Sequence, residues 1–307
     1  MPVPETVVVA VYCLVDDVLK AEAPPDRRRR GRRPALARSE VLTLALFAQL
    51  GSFPSERAFW RRADAEWRHL FPRLPSRPQL NRAIRAEHAA LVAFGRACAR
   101  RLDALTAPYE VLDTTAVPRR SAKRRGVGTM SEVVAPGWSL RLGWFVGVRL
   151  GLAATPSGVV TGWGFGPGNA QDRALADALL GQRALPAQTL PSAGRAASGL
   201  YLADTGFAGR DARARWLALG ANVLAPPQPD SGERWPAAVR SLHRSRRQIV
   251  ETVFARLHGA FRLERDRPRS LGGLWARIAA KVALSNALIR LNRDDGRPGL
   301  TLAGVVL

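Results

Sequence analysis

The sequence predicts an α/β protein in which an all-helical N-terminal domain precedes a mixed five-stranded sheet flanked by helices. Three observations lead to this prediction. Apolar residues recur at helical spacing as far as about residue 105. Beyond Pro108, three strand-like segments follow one another and strand and helix patterns then alternate, which is typical of a mixed sheet. Hydrophobic residues make up 47% of the 307 residues, enough to bury a core.

The N-terminal region contains four predicted helices. The first covers residues 1–20, and Ser39 is the expected N-cap of the second, VLTLALFAQL. Pro54-Ser55 starts the third, ERAFWRRADAEWRHL, and the last runs from Pro78 to about Leu105. Such an arginine-rich unit is either a helix-turn-helix-like DNA reader or a bundle that supports the rest of the chain, and the sequence leaves both open.

The second region supplies the sheet. Its strand-like segments are 109–112, 142–152, 159–165, 200–203 and 222–224. Its helical patterns cover about 170–180, 212–220, 244–261 and 271–291, and the expected loops are the Pro/Gly/Ser-rich stretches 184–199 and 226–241. We therefore expect domains at 1–105 and 106–295, with a C-terminal tail at 296–307.

The charge balance indicates a polyanionic partner. The formal net charge is +22, with a sequence pI near 11.6, and an excess of this size fits duplex DNA or RNA best. Cys13 and Cys98 are far apart and have no metal-ligand spacing, which predicts buried cysteines in a reducing cytoplasm. The apolar runs are too short for a membrane span, and no basic segment of a signal peptide precedes them. We expect a soluble, cytoplasmic protein.

Two basic segments are candidate DNA contacts. Residues 23–34, APPDRRRRGRRP, contain Arg30, Arg32 and Arg33 and are similar to a minor-groove arginine hook, although a solvated loop that touches phosphate is the favoured interpretation. A second basic loop is expected just beyond Asp113, and it either grips phosphate or is merely solvated. Its members are Arg119, Arg120, Lys123, Arg124 and Arg125.

Two aspartates have the positions expected of a metal-dependent active site. Asp113 and Asp204 each end a predicted apolar strand, and the ends of neighbouring strands in an α/β sheet lie close together. Two carboxylates in one cleft repel each other, and Mg²⁺ or Mn²⁺ is the usual counter-charge because these ions prefer oxygen ligands. A pair of such ions can activate an attacking oxygen and stabilise the leaving oxygen at a phosphodiester.

Glu251 is the candidate third carboxylate. It lies on the predicted helix HRSRRQIVETVFARLHGAF, one turn after Arg247 and two turns before His258, so all three share one face. By itself this spacing also fits an exposed Arg–Glu pair with a solvated histidine. The order strand-Asp, strand-Asp, helix-Glu in a strongly basic chain favours the catalytic interpretation.

These blocks resemble DDE-type transposases of bacterial insertion sequences, in the groups typified by insertion sequence four and insertion sequence nine-eighty-two. YEVLDTTAVP is similar to the first-aspartate block, and YLADTGFAG is similar to the second. GPGNAQD, at 166–172, is similar to the family's Pro-Gly-Asn…Asp turn. RRQIVETVFARLHGAF and the tail that follows it resemble the final-glutamate block. The resemblance covers nearly the whole chain.

The resemblance implies an RNase H-like catalytic domain that cuts transposon ends and joins the freed 3′-OH to target DNA. Asp113, Asp204 and Glu251 would bind two Mg²⁺ or Mn²⁺ ions, and a homodimer would assemble on double-stranded DNA. Arg244, Arg247 and His258 would contact phosphate, although the family has tyrosine and lysine where this chain has Arg244 and His258. A catalytically silent DNA-binding relative, or a nuclease without strand transfer, remains an alternative.

Overall fold

A computed structural model of the chain describes residues 3–22, 34–121, 130–184, 199–265 and 268–302. The predicted α/β class, a mixed sheet flanked by helices and preceded by a helical region, is confirmed. The helices are α1 (Glu5–Glu22), α2 (Arg38–Phe47), α3 (Glu56–Glu66), α4 (Arg77–Ala86), α5 (His88–Arg101), α6 (Asp172–Ala184), α7 (Arg210–Ala218), α8 (Ala237–His258) and α9 (Leu271–Asp294). The strands are β1 (Glu110–Ser121), β2 (Ala135–Ser139), β3 (Gly143–Ala154), β4 (Val160–Pro167), β5 (Leu200–Leu202) and β6 (Asn222–Leu224).

Contacts divide the chain into two compact units. The helical unit comprises Met1–Cys98, Gly259–Arg262 and Leu271–Leu307, and the sheet unit comprises Ala99–His258 and Leu263–Ser270. This division places α9 with the N-terminal helices, whereas the predicted boundaries keep residues up to 295 with the sheet. The predicted domain boundaries stay a prediction. Within the described ranges, no helix is both long and apolar enough to cross a membrane.

The helical unit is built around α2 and α9, which are buried on nearly every side. An edge-to-face cluster of four aromatic rings packs beside them, and buried Lys281 on α9 donates to Gln49 Oε1 at 2.8 Å. The cluster contains Phe47, Phe53, Phe59 and Trp67. Of the two cysteines, Cys98 is buried as predicted but Cys13 is exposed.

The helix starts agree in part with the prediction. α3 begins where Pro54-Ser55 predicts it, and Ser55 is its N-cap, with its hydroxyl accepting the Ala58 N–H at 3.1 Å. The predicted cap at Ser39 is wrong because Ala37 is the N-cap of α2, and the Glu40 side chain accepts the Ala37 N–H at 2.5 Å. The single helix predicted from residue 78 to 105 is two helices, α4 and α5, which meet at Glu87.

The sheet has the strand order β2-β3-β1-β5-β6, and β4 also pairs with β3. β1 and β3 are antiparallel along their whole length, whereas β1, β5 and β6 are mutually parallel neighbours. The other edge of β3 is shared: its first half pairs with β2 and its second half with β4. The five predicted strands are present, and the sixth, β2, is one that sequence patterning misses.

Two boundaries differ from the prediction in ways that affect the site. β1 was expected to end at Asp113 but continues to Ser121, because β3 offers it an antiparallel partner as far as Phe145. Consequently Arg119 and Arg120 belong to a strand and not to a loop. α8 begins at Ala237, so the end of the expected loop at 226–241 is helical.

The two faces of β1 are covered by different helices. Leu112 points into a core formed with α6 and α7, which includes the fully buried Tyr201 and Trp216. Asp113 and Thr115, on the opposite face, contact side chains of α8. Side chains on this face of β1 therefore contact side chains of the long helix α8.

A buried ion pair joins α6 to the start of the sheet. Arg183 NH1 lies 2.5 Å from Glu110 Oε2 and 3.1 Å from the Tyr201 hydroxyl, and its NH2 donates to Thr161 Oγ1 at 2.5 Å. The Glu110 and Arg183 side chains are 0% and 5% exposed. Burial of the phenol raises the pKa of Tyr201 above its usual value. The network ties β1, β4 and β5 together at Glu110, three residues before Asp113.

We expect Arg183→Leu to lower the free energy of unfolding by about 3–5 kcal/mol, because it leaves the Glu110 carboxylate buried without its partner. Urea denaturation measures this. Arg215→Ala is the matched control, since the Arg215–Asp177 pair at 2.9 Å is 54% and 39% exposed and such pairs contribute about 0–1 kcal/mol. Equal losses in the two variants would contradict a structural role for the buried pair.

Candidate active site

The parallel pairing of β1 and β5 places Asp113 and Asp204 at the same level of the sheet. Val111 pairs with Leu202, and each aspartate follows two residues later. Asp204 lies just beyond β5, where its Oδ1 accepts the Gly206 N–H at 2.8 Å. Asp113 lies inside β1, and its Oδ1 accepts the Thr114 N–H at 2.7 Å. Both side chains are thereby oriented by backbone donors.

A third aspartate, Asp172, belongs to this cluster, although the sequence analysis names it only as the last residue of the GPGNAQD turn. It is the first residue of α6, and its Oδ1 accepts the Thr114 hydroxyl at 2.6 Å. A Cβ atom placed on Gly206 would lie 2.6 Å from Asp172 Oδ2 and 3.0 Å from Asp204 Oδ1. The two carboxylates thus converge on the space that a side chain at residue 206 would fill.

Two arginines supply positive charge to the cluster. Arg247 of α8 lies 3.3 Å from Asp113 Oδ2, and both side chains are 17% exposed. Arg149 of β3 lies 3.2 Å from Asp172 Oδ1, and its other terminal nitrogen donates to the Trp138 carbonyl at 2.9 Å. Arg247, which was predicted to contact DNA phosphate, is here engaged with a carboxylate.

The surroundings of Asp113 shift the pKa of its carboxyl strongly. Burial raises the pKa of its carboxyl from 3.8 to about 7, and the negative charges of Asp204 and Asp172 add to the rise. Arg247 and the Thr114 N–H oppose it without cancelling it. A raised carboxyl pKa in a group of like charges is a recognised feature of functional sites. The two arginines therefore do not restore the ordinary pKa of Asp113.

Glu251 lies on the same face of α8 as Arg247 and His258. Arg247 contacts Asp113 and His258 contacts Thr115, so Glu251 lies on the stretch of helix between these two attachments to β1. The Glu251 side chain is exposed. Across the described ranges, no group of three or more His, Cys, Asp or Glu side chains is close enough to hold a metal ion.

His258 lies between Thr115 of β1 and Glu264. Its Nε2 lies 2.9 Å from the Thr115 hydroxyl and its Nδ1 lies 2.8 Å from Glu264 Oε1, with 15% of the side chain exposed. Burial lowers its pKa to about 4, against the opposing influence of Glu264. The imidazole is therefore neutral at pH 7, and its placement gives no support to the predicted DNA contact.

The remaining predicted DNA contacts fall into three groups. Arg119 is buried at the bulge of β1, where the register with β3 shifts, and Arg120 continues the strand. Arg244 is exposed on α8, one turn before Arg247. The last group lies outside the described residues and stays a prediction; it consists of Arg30, Arg32, Arg33, Lys123, Arg124 and Arg125.

One comparison with known proteins identifies a family. The sequence model of the family described as "Transposase DDE domain" matches residues 111–287, which is more than half of the chain. The matched range begins at β1, contains Asp113, Asp172 and Asp204, and includes all of α8. No curated protein and no solved structure matches the chain.

The raised pKa of Asp113 predicts a pH-dependent stability. An unfolded aspartate has its ordinary pKa, so unfolding at neutral pH releases the proton that the folded carboxyl holds, and stability declines between about pH 4 and 7. Asp113→Asn removes this effect and should raise Tm by several degrees at pH 8 in EDTA but less at pH 5. The rise from 3.8 to about 7 sets an upper bound of about 4 kcal/mol.

Thermal melts at both pH values measure this difference. Asp230→Asn, at an exposed loop position, is the control and should leave Tm unchanged at both. Equal stabilisation of the Asp113→Asn variant at pH 5 and pH 8, or no stabilisation at either pH, would contradict a raised pKa of Asp113 in the folded protein.

Proposed function

We propose, from the premise that the chain belongs to the DDE-domain transposase family, that it cuts transposon-end DNA and transfers the freed 3′-OH into target DNA. The observation that supports this most directly is the juxtaposition of Asp113 and Asp204 in an acidic cluster whose charge the neighbouring arginines do not cancel. The family supports the class of reaction, and the aspartate cluster supports our choice of active site.

Divalent metal is the cofactor that the donor set fits. Members of this family generally use divalent metals, and Asp113 and Asp204 offer the carboxylate oxygens that Mg²⁺ and Mn²⁺ prefer. Asp113, Asp204 and Glu251 would hold two ions. When bound, the ions supply activation of the attacking oxygen and charge stabilisation of the leaving oxygen. Glu251 is the natural third ligand because it is exposed and lies on the α8 face that contacts β1.

The chain's own side chains have distinct tasks in this proposal. The backbone N–H groups of Thr114 and Gly206 each hold one oxygen of an aspartate and thereby orient the other. Arg247 restrains Asp113 from the α8 side. Asp172 is a positioning residue, since it accepts from Thr114 and crowds the same space as Asp204. Preorganisation of this kind favours metal and phosphate binding at a fixed geometry.

The reaction needs no covalent enzyme intermediate. Water attacks a phosphorus at the transposon end, the bond to the 3′-oxygen breaks, and that oxygen leaves as a 3′-OH. The 3′-OH then attacks a phosphorus in target DNA and displaces the target's own 3′-oxygen. Because two ends must be cut together, we expect a homodimer on DNA. The net charge of +22 supports a double-stranded DNA substrate.

The decisive experiment is Mg²⁺- or Mn²⁺-dependent cleavage of DNA that carries the element's own ends. We expect the wild type to cut and Asp204→Ala to bind but not cut, with exposed Asp230→Ala as the matched control that cuts normally. DNA binding by all three proteins with cleavage by none of them, the wild type included, would favour a catalytically silent DNA-binding protein. Cleavage of any DNA, without joining, would favour a nuclease that lacks strand transfer.

Gly206→Ala tests the geometry of the aspartate cluster by metal binding, without measuring DNA cleavage. The added methyl group would lie within 3.0 Å of two carboxylate oxygens, so at least one aspartate must move. We expect Mn²⁺ affinity, measured by calorimetry, to fall by about tenfold or more. Gly181→Ala is the control, because a Cβ there meets nothing within 4 Å, and in α6 it should add about 0.5–1 kcal/mol of stability. Unchanged Mn²⁺ binding by Gly206→Ala would contradict a metal site whose geometry depends on the two carboxylates that converge on residue 206.

A further inference from the structure

The tip of the β2–β3 hairpin exposes three large apolar side chains. Trp138 is 52% exposed and Trp144 is 72% exposed, so neither indole belongs to the core. Leu140, in the turn between their strands, is 91% exposed. Trp138 and Trp144 are direct cross-strand partners, so both indoles project from the same face of the hairpin.

The hairpin is braced at its tip. Ser139 Oγ accepts the Leu142 N–H at 3.2 Å across the turn, and Gly143 begins β3 with a φ of 65°, which glycine adopts without strain. Arg141 forms an ion pair with Glu264. The tryptophans therefore sit on a fixed support, so binding a flat ligand there costs little ordering of the protein.

The hairpin lies beside the candidate active site. A single guanidinium, that of Arg149, spans the gap between them, with NH2 bonded to the Trp138 carbonyl at 2.9 Å and NH1 3.2 Å from Asp172 Oδ1. Asp172 and Asp204 in turn converge on Gly206. A DNA strand held at the carboxylates would therefore have its neighbouring nucleotides within reach of the hairpin.

We propose that the hairpin tip of Trp138, Leu140 and Trp144 is a platform that stacks on unpaired DNA bases next to the phosphodiester held at the active site. Exposed indoles stack on the faces of bases of any sequence, and those faces are open only where the duplex is frayed or single-stranded. The net charge of +22 favours nucleic acid over an apolar protein surface as the partner. The inference rests on the proposed DNA function.

Fluorescence of 2-aminopurine in the full chain's DNA complexes, in EDTA so that nothing is cut, tests the platform. The probe is a duplex with a short single-stranded 3′ extension that contains 2-aminopurine, and the reference is the blunt duplex of the same sequence. We expect the wild type to quench the extension and to bind it more tightly than the blunt duplex. Trp138→Ala and Trp144→Ala should each weaken binding to the extended DNA by about tenfold. Binding to blunt DNA should stay within about twofold of the wild type, because paired bases offer no open face.

Two further variants complete the test. Trp144→Phe keeps an aromatic face and should retain part of the quenching, whereas Leu217→Ala, which removes a 48% exposed apolar side chain from α7, should change nothing. A wild type that binds blunt duplex but never quenches 2-aminopurine would overturn the platform and leave the DNA function intact. Loss of dimerisation without loss of quenching in the tryptophan variants would overturn it in favour of a protein interface. No binding to either DNA would reject both proposals.

Discussion

The burial of the Asp113 carboxyl beside two other aspartates is the constraint that the contacts around the candidate active site have to satisfy. Burial is the largest cause of the raised pKa of Asp113, and the charges of Asp204 and Asp172 add to it. Such a group is stable only if positive charge reaches it from outside the strands. Arg247 from α8 and Arg149 from β3 supply part of that charge.

The contacts of Glu110, at the start of β1, determine where the aspartate cluster lies. Glu110 accepts from Arg183 and Thr161, and Arg183 also donates to the Tyr201 hydroxyl, so the first residue of β1 is tied to α6, β4 and β5 at once. The register of β1 on β5 follows from this anchor, and Asp113 reaches the level of Asp204 because of it. On the other face, the neutral His258 packs against Thr115 and attaches the C-terminal end of α8 to the same strand.

The sequence is sufficient to predict the class of fold and the segments that carry Asp113, Asp204 and Glu251, because each lies in a strongly apolar strand or helix. It is insufficient for features that depend on distant partners. β1 looks short in sequence because Thr114, Thr115 and Pro118 break its apolar pattern, and β3 is what extends it. In the sequence, Asp172 is only a residue at the start of a predicted helix. In the structure, Thr114, which is 58 residues away in sequence, donates a hydrogen bond to it. The exposure of Trp138 and Trp144 follows from β2, which no periodicity predicts.

The proton on Asp113 has a consequence for how the protein responds to its surroundings. With a pKa of about 7, this carboxyl is close to half protonated at pH 7. A cation bound at the proposed metal site would have to displace that proton, so metal binding would release acid and would become tighter as the pH rises. The affinity of the proposed metal site would then depend on pH as well as on the geometry of its carboxylates.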